Sequence, residues 1–211
     1  MRLRRDKNAA EYIEQCSKII VNPYEYKGRW NEAFHNNNSL HVEFGCGKGG
    51  FIRQLASQNP NINYIAAERS ETIVYKAVKK TEEIPDNLYF LFFNVEECTN
   101  IFEHNEVSRI YLNFSDPWPK NRYKKRRLTH RRFLDKYKII LDHAGEIHFK
   151  TDNKNLFGFS IEEFSQNNWL LNEVSLDLHN EKIDNIMTEY EKKFSQQGLT
   201  INRLVATPKQ V

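Results

Sequence analysis

The sequence predicts an α/β fold: a seven-stranded, mostly parallel sheet with a reversed C-terminal strand and helices on both faces. Three observations carry this. Strand-like apolar runs alternate with helical patterns along most of the chain. The first run leads directly into a glycine-rich turn. The last two runs have no clear helix between them, which marks an antiparallel pair rather than another parallel crossover. At 211 residues the chain suits one α/β domain with a full core and is short for two domains plus a linker. A single domain over 1–211 is therefore expected, with 1–39 an N-terminal extension and 40–211 the core.

The expected strands are Leu40 to Phe44, Ile62 to Ala67, Leu88 to Phe93, Val107 to Phe114 and Glu146 to Lys150, then Trp169 to Leu178 and Thr200 to Ala206. Between the first five lie helical candidates near Gly50 to Gln58, Glu71 to Glu83, Glu97 to Phe102 and Thr129 to Leu141, each with apolar residues three and four apart. The extension holds a helical pattern over Ala9 to Ile20, a turn at Asn22-Pro23 and a polar run from His35 to Ser39. Between the last two strands only Ile186 to Phe194 offers itself.

Composition narrows the classes. Apolar residues make up 39% and charged residues 28%, with 14 Phe and 10 Tyr, which fills a core and is too aromatic for a disordered chain. No apolar run approaches bilayer length, and Met1 to Asp6 has no hydrophobic stretch behind its charges, so a cytoplasmic protein is expected. Cys16, Cys46 and Cys98 are far apart and lack CxxC spacing, so reduced thiols are expected, with no disulfide framework and no zinc or other metal site. The net charge of +3 hides an asymmetry. Lys120 to Arg132 holds eight basic residues and no acid, leaving −5 on the remainder, the footprint of a protein that meets a polyanion at one place.

The turn after the first strand reads Glu43-Phe44-Gly45-Cys46-Gly47-Lys48-Gly49-Gly50. Glycines here let the backbone turn sharply and approach a ligand, and a following helix N-terminus offers free N–H groups. Gly45, Gly47 and Gly50 satisfy GxGxxG, so the glycines do not choose between NAD and S-adenosylmethionine. Glu43 tips the choice: an acid beside this turn repels a pyrophosphate and attracts a cationic amino-acid moiety. Glu68, ending the second strand about 20 residues on, can accept both ribose hydroxyls of an adenosine. Asn94, after the third strand, can hydrogen-bond an adenine edge.

The fourth strand ends in Asn113-Phe114-Ser115-Asp116-Pro117-Trp118-Pro119-Lys120. The two prolines should hold Asp116 and Trp118 extended at the sheet's carboxyl edge, where Asp116 can take hydrogen bonds from guanine N1–H and its 2-amino group or accept a proton from an amine. The run Arg122-Tyr123-Lys124-Lys125-Arg126-Arg127 follows. Its cations suit phosphates, and Tyr123 or Trp118 suits stacking on an unpaired base. Asp152, in Lys150-Thr151-Asp152-Asn153, reads as a helix N-cap, and Thr188-Glu189-Tyr190-Glu191 as an ordinary helix start.

These residues resemble the bacterial tRNA (guanine-N7-)-methyltransferases over nearly the whole chain. The markers are the Glu43 to Gly50 motif, the Ser115 to Lys120 block with Arg122 and Lys125-Arg126-Arg127, the Phe149 to Asn153 strand end, and Thr188 to Glu191 with Phe194 and Gly198. The resemblance implies a class I, Rossmann-like S-adenosylmethionine-dependent methyltransferase acting on N7 of the variable-loop guanosine of tRNA. It assigns Glu43, Gly45, Gly47, Glu68, Asn94 and Asp116 to the cofactor, with Asp116 also catalytic. Lys120, Asp152, Thr188, Glu189, Tyr190 and Glu191 fall to substrate, and Arg122, Tyr123, Lys124, Lys125, Arg126 and Arg127 to RNA. Family members of this length include dimers, which makes a homodimer the expected assembly. Tyr123 stands where the family more often has histidine, and Asn202 where an aromatic is common, which puts RNA affinity or tRNA choice in question.

Two other enzyme readings and one binding reading compete. A methyltransferase for an exocyclic base amine would also use an acid followed by proline and an aromatic. An NAD-dependent oxidoreductase would use the glycines and Glu68 but has no use for Glu43 or the basic loop, and no Tyr-x-x-x-Lys pair is expected beside its crevice. A non-catalytic RNA-binding module would have no need of intact glycines and acids.

Overall fold

The computed structural model describes residues 9–79 and 83–209, which divide into two compact units, the first ending at Glu103 and the second beginning at His104. The charged start Met1 to Asp6 and the end of the predicted Glu71 to Glu83 helix, residues 80–82, lie outside the described residues.

The first unit contains α1 (Ala9–Gln15), α2 (Trp30–Phe34), β1 (Leu40–Phe44), α3 (Gly50–Gln58), β2 (Asn63–Glu68), α4 (Glu71–Val78), β3 (Leu88–Phe92) and α5 (Cys98–Ile101). Its strands run parallel in the order β3-β2-β1, in register from Leu40↔Asn63 to Phe44↔Ala67 and from Tyr64↔Leu88 to Glu68↔Phe92. Every residue of β1 is buried, the pattern of a parallel strand covered on both faces. Helix α3 buries Phe51, Ile52 and Ala56, and α4 buries Val74, Tyr75, Ala77 and Val78.

The predicted Ala9 to Ile20 helix stops early, at Gln15, because the chain beyond it serves the sheet. Phe90 N donates to Lys18 O at 2.9 Å and Ile20 N to Phe90 O at 3.1 Å, so Lys18 to Ile20 occupies β3's outer edge, whose backbone groups need partners. Trp30 anchors the rest of the extension, buried against Phe102 with its indole N–H donating to Ile101 O at 2.8 Å.

The second unit contains β4 (Val107–Asn113), α6 (Arg131–Ile140), β5 (Leu141–Thr151), α7 (Lys154–Gln166), β6 (Trp169–Ser175), α8 (Glu189–Ser195) and β7 (Asn202–Pro208). Its strand order is β4-β5-β7-β6. β4 and β5 are parallel, and β7 is antiparallel to both its neighbours, so the reversed C-terminal strand inserts between β5 and β6. The expected antiparallel pairing of the last two strands is present. β5 begins five residues earlier than predicted: Asp142 to Gly145 bulge out where the register passes from Val107↔Leu141 to Arg109↔Glu146.

Sequence periodicity missed α7 as an element. Its buried residues, Leu156, Phe157, Ser160, Glu163 and Phe164, follow helical spacing, but two are polar and break the apolar stripe. Both are satisfied by α6 and the turn before it. Ser160 Oγ lies 2.7 Å from Thr129 Oγ1, and Glu163 accepts from Arg131 N at 2.6 Å and from its guanidinium at 2.9 and 3.1 Å. Among the described residues, no helix is long and apolar enough to cross a membrane.

Candidate functional site

In the first unit the chain passes Glu43, 2% exposed near the end of β1, and turns through Gly45, Gly47 and Gly49 at φ of 77°, 56° and 71°. Such φ values favour glycine. The third turning glycine is thus Gly49, not the Gly50 of the dinucleotide-type spacing, which is the first residue of α3. At Gly49 a Cβ would meet the Phe90 ring at 2.7 Å, so the turn presses against β3 with no room for a side chain. Sequence reasoning passed over Gly49, whose necessity comes from a ring about 40 residues away. Gly45 N and Cys46 N both donate to Ala67 O, at 2.8 and 3.2 Å, tying the turn to β2.

Glu68 ends β2 half-buried. Its two oxygens accept from Ser70 N at 3.0 Å and Gly47 N at 3.4 Å, joining it to the turn. Burial pushes its carboxyl up, and the amides of Ser70 and Gly47 act against that. Burial also pushes the Cys46 thiol well up, and the negative charges of Glu43 and Glu68 raise it further. Two acids therefore impose a negative field on one glycine turn, a setting that favours a cation and disfavours a phosphate. Asn94, an exposed residue, caps the short helical turn Val95–Glu97, its side-chain oxygen accepting from Glu96 N at 3.2 Å, and its amide NH2 is a donor.

The chain holds one Tyr-x-x-x-Lys spacing after all, Tyr75 and Lys79 on and after α4. Tyr75 is 5% exposed, its ring meets Tyr12 edge-on at 5.2 Å, and its hydroxyl takes a 2.5 Å bond from Lys79. The pair packs α1 against α4.

In the second unit β4 ends at Asn113, and Phe114 takes φ 50° as its N–H donates to Lys150 O at 2.9 Å. Asp116 follows, exposed. Trp118 is not extended, as its proline neighbour led us to expect; its φ is 41°. Arg127 overrides the local preference by donating from Nε to Pro117 O at 2.9 Å and from Nη2 to Trp118 O at 3.1 Å, which folds the loop back. Residues Asn121–Arg126 form a 3₁₀ helix on which Trp118 and Tyr123 meet edge-on at 6.0 Å. The Arg126 guanidinium stands 4.9 and 5.0 Å from those two rings, and Arg122 4.8 Å from Tyr123. Lys120, Lys124 and Lys125 are exposed. The basic run thus divides: Arg127 shapes the loop, Arg126 and Arg122 ride on aromatic rings, and the lysines reach solvent.

The cap of α7 is Asn153, whose side-chain oxygen accepts from Leu156 N at 2.8 Å, so Asp152 is not the N-cap and stands beside it, half-buried. Thr188 and Glu191 form a capping box that opens α8, as composition suggested. Glu191 is 0% exposed and bound by Lys150 Nζ at 2.8 Å and His179 Nε2 at 2.9 Å. Lys150 and its partners outweigh burial and hold the Glu191 carboxyl below its ordinary range. Of the four residues Thr188 to Glu191, Glu189 and Tyr190 are exposed. Asn202 is 2% exposed and donates to Thr151 O at 3.1 Å, so its side chain holds the backbone beside Asp152.

A family model described as "Putative methyltransferase" matches residues 37–204. The chain is 51% identical over 209 residues to a tRNA (guanine-N(7)-)-methyltransferase of Lachnoclostridium phytofermentans, covering 98% of each chain. It is likewise 51% identical over 210 residues to one of Clostridioides difficile, again covering 98% of each. Among solved structures it resembles an antibiotic-related methyltransferase with a TM-score of 0.66 at 17% identity, over 90% of this chain and 96% of that one. That likeness shows the fold, a Rossmann-like methyltransferase fold with a mixed set of seven strands.

Proposed function

This chain belongs to the tRNA (guanine-N(7)-)-methyltransferase family, and from that premise we infer that it transfers the methyl group of S-adenosylmethionine to N7 of a guanosine in the variable loop of tRNA, giving 7-methylguanosine. The observation that carries the reading is the turn of positive-φ glycines flanked by two acids, Glu43 buried at its start and Glu68 bound to Gly47 N. S-adenosylmethionine supplies an electrophilic methyl on a sulfonium, and its cationic amino-acid end suits those acids. In this reading Glu43 attracts the amino group, Gly45 and Gly47 let the backbone approach, Glu68 accepts from the ribose hydroxyls, and the Asn94 amide meets the adenine edge.

Guanine N7 carries a lone pair and no proton. As it bonds to the methyl carbon, the carbon–sulfur bond breaks, sulfur keeps the pair, and the base becomes cationic. No general base is needed, so alignment dominates the barrier. We assign Asp116 to that alignment, accepting from guanine N1–H and the 2-amino group. Lys120, Asp152, Glu189 and Tyr190 are assigned to the nucleotide, with Thr188 and Glu191 shaping the segment that presents the last two. Arg122, Tyr123, Lys124, Lys125 and Arg126 are assigned to the RNA backbone and unpaired bases, with Arg127 holding their loop.

The family match begins at residue 37, which supports reading 1–39 as an extension ahead of a catalytic core that works as one methyltransferase domain. A cytoplasmic homodimer completes the reading and rests on the family alone. The test is incubation of the purified protein with methyl-labelled S-adenosylmethionine and unmodified tRNA, followed by nucleoside analysis. Labelled 7-methylguanosine is the expected product; label in another nucleoside, or none, overturns the assignment.

A further inference from the structure

Lys150 lies near the end of β5, 5% exposed, and touches both segments that the proposed function turns toward tRNA. Its carbonyl accepts from Phe114 N at 2.9 Å, at the residue where the chain swings to φ 50° and leads to Asp116. Its ammonium donates to Asn185 Oδ1 at 3.0 Å, Ile186 O at 2.9 Å and Glu191 Oε2 at 2.8 Å. The other Glu191 oxygen takes Asn185 Nδ2 and His179 Nε2. Three hydrogen bonds from one buried ammonium are thus directed at the segment that carries Glu189 and Tyr190, the latter 62% exposed.

Stability alone does not require this arrangement. A buried ion pair can be replaced by apolar side chains of like volume at little or no cost. What an apolar pair lacks is direction: it would not aim the Ile186 carbonyl or fix the azimuth of α8 about its capping box. We propose that Lys150 is a positioning residue for the tRNA side of the reaction, setting the Glu189–Tyr190 segment through its ammonium from the strand that also pairs with the start of the Asp116 loop. The proposal rests on the reading of those two segments as substrate-facing.

The test separates positioning from folding. Lys150→Met alone strands the Glu191 carboxylate and is expected to lower the melting temperature. The double variant Lys150→Met/Glu191→Gln removes that stranded charge. It is expected to regain the wild-type melting temperature while its KM for tRNA stays raised about tenfold and its affinity for S-adenosylmethionine stays within about twofold. Recovery of tRNA KM together with stability makes the pair merely structural and overturns the proposal, as does an equal loss of S-adenosylmethionine affinity. Should the double variant not fold, Asn185→Ala deletes one acceptor of the ammonium and one donor to Glu191 while leaving the ion pair itself intact. A raised tRNA KM at unchanged kcat supports the proposal, and an unchanged KM overturns it. Glu189→Ala and Tyr190→Ala report on the underlying reading: if both leave tRNA KM unchanged the segment is not substrate-facing and the proposal falls with it, whereas raised values with a normal double variant overturn Lys150's role alone.

Discussion

The turn Glu43 to Gly50 and the loop Phe114 to Arg127 both leave the carboxyl end of a strand, and they are held by opposite means. The turn is held by backbone: two amides on the Ala67 carbonyl, Gly49 N on Cys46 O at 3.0 Å, and three glycines at positive φ. The loop is held by side chains, with the Arg127 fork on two carbonyls, Arg126 against two rings, and two residues that are not glycine, Phe114 and Trp118, at positive φ. Backbone geometry suits a small ligand that never varies. Exposed cations leaning on rings suit a polyanion, whose phosphates can be met in more than one way. The turn should therefore fail all at once under substitution, and the loop by degrees.

The sharpest break is expected at Gly49. Gly49→Val forces a side chain into left-handed backbone and against the Phe90 ring, a combined cost of about 3 kcal/mol or more. At roughly 2–4 °C per kcal/mol for a chain of this size, the melting temperature should fall by about 10 °C, with S-adenosylmethionine binding lost. Gly50→Ala, one residue on at ordinary helical φ, should melt within about 2 °C of wild type. Equal behaviour of the two would remove the claim that Gly49 closes the turn.

Next in size is Asp116→Asn, expected to cut kcat by about 100-fold through lost alignment while leaving the melting temperature unchanged. Wild-type turnover with unchanged tRNA binding would end the alignment role. Within the basic loop, Arg127→Lys keeps the charge and loses the fork. It should lower kcat/KM for tRNA about tenfold without changing the salt dependence of binding. Lys125→Ala should weaken binding only a few-fold but reduce the log–log salt slope by about one. Identical salt slopes for the two variants would erase the division between loop-shaping and phosphate-binding cations.

The smallest effect is in acid stability. Glu146 bridges Arg109 and lies 3.2 Å from His148 Nε2; the neighbouring His148 imidazole, then the Arg109 charge, hold its carboxyl down from the ordinary 4.5 to about 2 despite partial burial. A carboxyl depressed in the folded state stabilises above its unfolded value and ceases to do so as pH falls through its folded value. Melting temperatures of the wild type should therefore drop more steeply between about pH 4.5 and 2 than those of Glu146→Gln. Parallel curves would show that the bridge adds nothing.

Much of the fold was legible because parallel strands buried on both faces are continuous apolar runs, and β1, β2 and β3 lie within a residue of where those runs predict. The start of α7 was legible to within a residue as a cap, but its body was not, since Ser160 and Glu163 are buried only by virtue of Thr129 and Arg131 on other elements. The acids and glycines of the cofactor turn were readable as a motif. The conformation of Trp118 was not, because a local proline rule yields to an arginine nine residues away.

By itself the sequence determined the order of strands and helices, the glycine turn with its two acids, the block of cations and the family, since these are properties of neighbouring residues and of residue type. Tertiary structure alone decided which glycine closes the turn, which arginine shapes the loop, that Asn153 and not Asp152 caps α7, and that Lys150 ties together two segments distant in the chain. Each of those depends on a partner brought near only by folding, and no local pattern encodes the distance between them.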